Sequence, residues 1–122
     1  MKLLLVEDDA ATIEAIKMCV AVYEPSSTIV STSSALDAVS LLTRESFDSV
    51  ILDLGLPDAD GFEVLRRIKE LGNTPVLVCS ARHSSESIDA ARQLGADDYV
   101  IKPFDFHALL DSLRKAIGHR SN

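Results

Sequence analysis

The sequence predicts a single α/β domain in which five parallel strands, in the order 2-1-3-4-5, are covered by helices on both faces. Three observations carry this. Five short apolar runs alternate with five segments of helical period, at spacings that suit compact strand–helix–strand crossovers. The run Val50 to Leu52 is apolar without alternation, as a strand buried on both faces is. Right-handed crossovers leave few topologies, and the chosen order places the first and third strands side by side at the switch point where such sheets bind ligands.

The elements follow in order. Lys2 to Glu7 is a short apolar strand. Ala10 to Tyr23 carries Ile13, Ile16, Lys17 and Val20 at helical spacing, and Glu24-Pro25-Ser26-Ser27 breaks it because proline disfavours helix in the residue before it. Thr28 to Thr32 is β-branched and reads as the second strand. Ser34 caps a helix whose apolar face is Leu36, Val39 and Leu42. Asp48 to Leu54 is the third strand, an apolar run closed by Asp53, Gly55 and Pro57. Gly61 leads into a helix with Phe62, Leu65 and Ile68 on one side and Arg66, Arg67, Lys69 and Glu70 on the other; Gly72-Asn73 stops it.

Pro75 to Cys79 is the fourth strand. Ser84 or Ser85 opens a weaker helix, Ile88 to Leu94, closed by Gly95 as a C-terminal cap. Asp98 to Ile101 is the last strand, and after Lys102-Pro103 the residue Asp105 caps a helix with Leu109, Leu110, Leu113 and Ile117 inward. The domain is expected to run from 1 to 118, with 119–122 a polar, fraying tail. No repeat, low-complexity segment or linker interrupts it.

Composition narrows the function classes. Hydrophobic content of 47% with 25% charged residues is that of a globular domain. No apolar run approaches the roughly 20 residues needed to cross a bilayer, and Met1–Val6 is halted by Glu7-Asp8-Asp9 without forming a secretory signal. A cytoplasmic location without membrane association is the expectation. Cys19 and Cys79 lie in apolar surroundings and read as reduced core thiols. Without CxxC spacing, and with His83, His107 and His119 scattered, they do not suggest zinc. A net charge of −7 argues against direct nucleic-acid binding by this domain and suits a bound cation.

The chemistry emerges when the strand ends are overlaid. Strand one ends in Glu7-Asp8-Asp9, strand three in Asp53, strand four in Ser80 and strand five in Lys102-Pro103. Each has a plain reading alone: Asp53 as a turn former, the acidic run as a solvated helix start, Ser80 as a cap, Lys102 as a surface lysine. Together they bring three or four carboxylates to one edge, where two unit charges about 4 Å apart repel by roughly 4 kcal/mol at an effective dielectric of about 20. Such a cluster protonates, disperses into water or holds a cation, and a hard divalent ion such as Mg²⁺ (or Mn²⁺) fits best. Carboxylate, metal, hydroxyl and ammonium together suit a phosphoryl group.

The segments Leu4–Asp9, Leu52–Gly61, Val78–Ala81 and Gly95–Phe104 resemble, in order and spacing and over essentially the whole chain, the receiver domain of two-component response regulators. The details are most similar to receivers of the winged-helix (OmpR/PhoB-type) transcription factors. The resemblance implies a flavodoxin-like (βα)5 three-layer sandwich. It makes Asp53 the phospho-acceptor for a sensor histidine kinase or phosphotransfer protein. It makes Asp8 a direct metal ligand, Glu7 one acting mostly through water, and the Gly55 backbone carbonyl a further ligand beside Asp53. Ser80 would hydrogen-bond the phosphoryl oxygen and Lys102 ion-pair with it, while Asp9 falls outside the family's acidic pair. Pro103 is a candidate for a cis peptide after Lys102, since X-Pro bonds lose much of the trans preference.

The resemblance also implies a switch. Tyr99 matches the family's switch aromatic, expected to shift with Ser80 and remodel the face of helix four, strand five and helix five; plain core packing is the alternative. A homodimer through that face is expected, with the family's usual charge network across it incomplete. Helix four offers Glu86, Asp89 and Arg92, helix five Arg114 and Lys115, and Asp97 or Asp98 remains to pair with Arg114. Gly55 and Arg82 flank the pocket mouth, where Gly55 leaves space and Arg82 is able to cover it. The leading expectation is thus a phospho-accepting signalling domain rather than an enzyme, with output to transcription. Two competing readings are a degenerate receiver that signals by contact alone and a phosphatase of the haloacid-dehalogenase type. The phosphatase wants a second acid where Gly55 stands.

Overall fold

Strands and helices alternate strictly along the chain: β1 (Lys2–Val6), α1 (Ala10–Tyr23), β2 (Thr28–Thr32), α2 (Ala35–Arg44), β3 (Ser49–Leu52), α3 (Gly61–Leu71), β4 (Val76–Ser80), α4 (Ser85–Gln93), β5 (Asp98–Ile101) and α5 (Phe106–Gly118). The structure, a computed structural model, describes residues 1–118, with side chains to Ala116. The side chain of Ile117 and the tail from 119 onward, both assigned places above, lie outside the described residues. All strand pairings are parallel and the order is β2-β1-β3-β4-β5.

The sheet divides the core in two. Leu4, Val6, Val50, Leu52, Val76 and Val78 face α2, α3 and α4, packing on Ala35, Ala38, Val64, Leu65, Ile68 and Ala91. Leu3, Leu5, Ile51, Leu77, Cys79 and Val100 face α1 and α5, against Ile16, Val20, Leu109 and Leu113. Burial on both faces is why β1, β3 and β4 are apolar apart from Lys2, Ser49 and Ser80 at their ends, and each large side chain so enclosed contributes roughly 1.5–3 kcal/mol. The edge strand β2 is only half covered, which matches its Thr and Ser content. Both cysteines are free and buried.

Strand ends are tighter than the sequence suggests. β1 stops at Val6 and β3 runs from Ser49 to Leu52, so the acidic residues lie just past the ladder, and β4 gains Ser80 while losing Pro75. One packing expectation is overturned. Leu36, placed on the inner face of α2, is 70% exposed. The helix approaches the sheet through Ala35 and Ala38, with Leu41 and Leu42 partly buried beside them. Small residues allow the closer approach, and the inward face is therefore rotated one position from the one that the bulkier side chains mark.

Loops leaving the sheet repeatedly end in an oxygen cap. Asp9 accepts from Thr12 N, Ser34 from Asp37 N, Asp60 from Phe62 N, Ser84 from Ser87 N and Asp105 from His107 N. Each satisfies an amide that the first helical turn leaves open. Gly95 closes α4 at a φ of +107°, a left-handed conformation costly for any side chain. Gly61 is required for a different reason: a Cβ there would lie 2.3 Å from the Leu54 Cα and carbonyl oxygen. The loop that follows Asp53 thus folds back directly onto the start of α3.

That closeness predicts an asymmetry between two glycines at the ends of α3. Gly61→Ala should destabilise by about 2–3 kcal/mol through overpacking against backbone. Gly72→Ala, where nothing lies within 4 Å, should stay within about 0.5 kcal/mol of the parent. Urea denaturation midpoints of the two variants check it, and equal midpoints would contradict the packing described.

Candidate functional site

Register builds the site. Val6 pairs with Leu52 at the last rung of the β1–β3 ladder, and the Asp53 amide donates to the Val6 carbonyl at 3.0 Å. Glu7 and Asp53 are therefore the first residues beyond neighbouring strands, side by side. Ser80 pairs with Ile101 at the end of β4–β5, and the Lys102 amide donates to the Ser80 carbonyl at 2.8 Å. Four strand ends thus converge because the ladders end within a residue or two of one another. The Lys102–Pro103 peptide bond is cis.

The acids are crowded. Glu7, Asp8 and Asp53 each present a carboxylate oxygen within 4.8 Å of the others. Glu7 is 1% and Asp53 7% exposed, whereas Asp8 faces solvent. The Glu7 Oε2 accepts from the Asp8 and Asp9 amides at 3.0 and 3.1 Å, and the Asp53 Oδ1 accepts from the Gly55 amide at 3.0 Å. Lys102 Nζ donates to Glu7 Oε1 at 2.5 Å and lies 3.4 Å from Asp53 Oδ2.

Burial alone draws the Lys102 ammonium down, but the Glu7 hydrogen bond and the Asp53 and Glu7 charges outweigh it and hold its pKa above that of an ordinary lysine. Burial pushes the Glu7 carboxyl upward against the pull of Lys102. Three carboxylates face one ammonium here, so three negatives less one positive leave a local surplus of two. That surplus matches a hard divalent cation taking oxygen ligands, and Glu7, Asp8 and Asp53 are the residues able to hold it.

Ser80 is buried, and its Oγ accepts from the Arg82 amide at 3.2 Å. The Arg82 carbonyl in turn accepts from the Tyr99 hydroxyl at 2.7 Å. Burial pushes the Tyr99 phenol up, with the Ser80 hydroxyl and the Arg82 charge acting the other way, and it stays a protonated donor. Ser80, Arg82 and Tyr99 thus form one hydrogen-bonded chain from the strand end to β5. The Arg82 guanidinium stands 5.3 Å from the centroid of the Phe62 ring.

Some residues have roles that the sequence reading did not assign. Asp9 caps α1 through Thr12 N and Oγ1 at 2.9 and 2.6 Å; the Asp-x-x-Thr spacing carries that signal. Asp58, in the loop after β3, reaches across to α2, accepting from Ser34 Oγ and from the Ala35 amide at 3.0 Å each. Those amide and hydroxyl bonds keep its carboxyl below the usual carboxylate range. Helical spacing marks Phe62 only as an inward residue of α3, and its place under Arg82 depends on a contact between α3 and the β4–α4 loop. Asp97, a candidate for pairing with Arg114 of a second copy, is engaged by Lys69 at 3.2 Å and by the Val76 amide at 2.8 Å.

The response regulator receiver domain family matches residues 3–114, and the chain belongs to it. It is 35% identical to the transcriptional regulatory protein BasR of Escherichia coli, over 100% of this chain and 54% of that protein. It is 34% identical to the transcriptional regulatory protein AfsQ1 of Streptomyces coelicolor, over 97% of this chain and 51% of that one. The chain thus spans about half the length of these relatives. Among solved structures, the receiver domain of sensor histidine kinase PA1611 from Pseudomonas aeruginosa, with a magnesium ion coordinated in its active site cleft, superposes with a TM-score of 0.83. The match covers 96% of this chain and 97% of that one at 25% identity. No helix among the described residues is long and apolar enough to cross a membrane.

One residue beside the site yields a pH prediction. Burial pushes the Cys79 thiol up to about 12 from an ordinary 9.0. A raised acid pKa means that the folded state holds the proton while the unfolded chain loses it. The resulting stability is whole below pH 9 and is lost as pH rises from there toward 12. Between about pH 9.5 and 11, unfolding free energy should fall less steeply in Cys79→Ala, by about 1.4 kcal/mol per pH unit. Equal slopes in urea titrations would contradict this assignment.

Proposed function

We propose that the chain is the phospho-accepting switch of a two-component pathway, with Asp53 taking a phosphoryl group from the phosphohistidine of a sensor histidine kinase or phosphotransfer protein. The observation that carries this is the position of Asp53, nearly buried yet set between Lys102 and the Glu7–Asp8 pair. An Asp53 carboxylate oxygen attacks the phosphorus, the P–N bond breaks, and its electron pair returns to the donor imidazole. Lys102, already between Glu7 and Asp53, follows the charge as it moves onto the phosphoryl oxygens. The buried Ser80 hydroxyl supplies a second donor to them.

Glu7, Asp8 and Asp53, with the Gly55 carbonyl, are the residues that hold Mg²⁺ or Mn²⁺ in this reading. The ion supplies charge neutralisation and phosphoryl orientation. The magnesium in the PA1611 receiver's cleft supports that choice.

Output follows from the Ser80–Arg82–Tyr99 chain. When the Ser80 Oγ turns toward a phosphoryl oxygen, the Arg82 amide loses its acceptor, and the carbonyl that anchors the Tyr99 hydroxyl moves with it. Tyr99 then shifts inward, and the face formed by α4, β5 and α5 is remodelled. A second copy of the chain is the proposed partner for that face, with Asp98 rather than Asp97 as the acid facing Arg114. Likeness to BasR and AfsQ1 supports transcriptional control in the cytoplasm as the output. With its net charge of −7, this domain is not the part that touches DNA.

Intact-mass analysis after incubation with Mg²⁺ and acetyl phosphate tests the acceptor. One phosphate adduct is expected, absent in Asp53→Asn and lost with chelator. Asp8→Asn should weaken Mg²⁺ binding at least about tenfold through loss of a charged oxygen ligand. No adduct with metal binding intact would favour a receiver that signals by contact alone. The coupling has its own check. Ser80→Ala should uncouple Tyr99, so that its NMR signals and those of α4 no longer move on phosphorylation. If they move as in the parent, the hydroxyl is not the trigger.

A further inference from the structure

The first amides of a helix have no partner inside it, and at α2 they are divided between side chains of two different loops. Ser34 Oγ accepts from the Asp37 amide at 3.2 Å. The amide of the buried Ala35 goes instead to the two carboxylate oxygens of Asp58, at 3.1 and 3.0 Å, and the Leu36 amide reaches Asp58 Oδ2 at 3.5 Å. Ser34 Oγ donates to the same carboxylate at 3.0 Å. From Ser34 the bonds run on to β1. The Ser34 amide donates to Thr32 Oγ1 at 3.1 Å, and the Thr32 carbonyl accepts from the Glu7 amide at 3.0 Å. On the other side the Gly55 amide donates to Asp53 Oδ1 and the Asp53 amide to the Val6 carbonyl, each at 3.0 Å. A ring is thus closed. It leaves β1 at Glu7, passes through the start of α2, and returns by Asp58 and Asp53 to Val6.

That ring joins the two loops from which a cation draws its ligands. Glu7 and Asp8 follow β1, whereas Asp53 and the Gly55 carbonyl follow β3. In the β3–α3 loop Leu54 and Leu56 are buried, but Pro57 and Asp58 are exposed, so the carboxylate bonds rather than burial hold its outer part. The amides that Asp58 accepts lower its carboxyl pKa and keep it charged, and a charged acceptor holds them more tightly. Mg²⁺ demands near-ideal octahedral geometry at about 2.0–2.1 Å, while Ca²⁺ accepts flexible sites at about 2.3–2.6 Å. A fixed gap between the loops therefore favours the smaller, stricter ion. We propose that Asp58 is a positioning residue for the metal: by fastening the β3–α3 loop to α2 it fixes the spacing of the two ligand-bearing loops and makes the site selective for Mg²⁺ over Ca²⁺. This rests on the metal reading above and adds what sets the ion preference.

The ratio of two affinities tests it. Mg²⁺ and Ca²⁺ binding to the unphosphorylated protein are measured by calorimetric titration. In Asp58→Ala, Mg²⁺ binding should weaken about tenfold, the lower end of what groups behind metal ligands contribute, with a clearly smaller loss for Ca²⁺, which tolerates displaced ligands. Losing one negative charge near the site acts on both ions alike, so the ratio isolates geometry. Asp58→Asn loses the same charge but keeps an oxygen acceptor, and should retain most of the parent's ratio. Asp60→Ala, which removes a charge and the cap of α3 from the same loop, should leave the ratio unchanged. Ser34→Ala, which removes one link of the ring, should shift it in the direction of Asp58→Ala by less. Circular dichroism verifies folding, and Ser34→Ala carries the comparison should Asp58→Ala not fold. In metal-free protein, the Gly55 amide should exchange with solvent faster in Asp58→Ala than in the parent. A parent ratio in Asp58→Ala overturns the role of the ring, as does an Asp58→Asn ratio that falls as far as that of the alanine variant. A parent that binds Ca²⁺ as tightly as Mg²⁺ overturns the selectivity. A parent that binds neither ion overturns the metal reading itself, and the proposal with it.

Discussion

The repulsion among Glu7, Asp8 and Asp53, contained by a single lysine, is the constraint on which the rest depends. Three carboxylate oxygens within 4.8 Å of one another are tolerable because Lys102 bridges two of them and because backbone amides of Asp8, Asp9 and Gly55 turn toward the buried pair. Those amides are available only if the chain turns sharply as it leaves β1 and β3. The turn after β1 is set by the Asp9 cap, which starts α1 immediately. The loop after β3 is set by Gly61, where the backbone leaves no room for a side chain. The charge cluster and the helix starts are thus one construction. Loss of either would let the acids disperse into water, where they repel little.

The same construction explains how much could be read in advance. Strands β1, β3 and β4 are legible because burial on both faces demands apolar residues between their ends. The site is legible because parallel strands end together, so their terminal residues meet without knowledge of any loop. Caps such as Ser34 and Asp105 are visible from local spacing. What escaped depends on contacts between elements far apart in sequence. Asp58 capping α2 joins residues 23 apart, and nothing local to Asp58 points at Ala35. Leu36 lies outward for a related reason: side-chain size points to an inward face, whereas close helix–sheet approach favours Ala35 and Ala38. Phe62 beneath Arg82 likewise needs the tertiary placement of α3 against the β4–α4 loop.

Asp58 has a consequence for how the site connects to the fold. The loop from Asp53 to Gly61 binds Asp53 through the Gly55 amide at one end and presses Gly61 on Leu54 at the other. Midway, Asp58 holds the amino end of α2. A loop pinned at three points has little freedom to relax around the acceptor carboxylate. The opposite wall differs. Arg82 and Tyr99 lie on exposed or half-buried segments, linked by single hydrogen bonds and a weakly held cation. One side of the pocket is therefore rigid and the other adjustable.

That division suits a switch better than uniform rigidity would. In the proposed switch, a charge added at Asp53 would meet the pinned β3–α3 loop on one side, which leaves the β4–α4 loop and, through the Tyr99 hydroxyl, β5 as the adjustable path. The acids follow the same logic. Glu7 and Asp53 are buried and fixed by amides, whereas Asp8 faces solvent and can adjust to an incoming cation. In that proposal the direction of the response comes from an asymmetry of constraint around one carboxylate. That asymmetry is set by where glycine, aspartate caps and a lone arginine fall in the loops, rather than by the sheet that all these loops share.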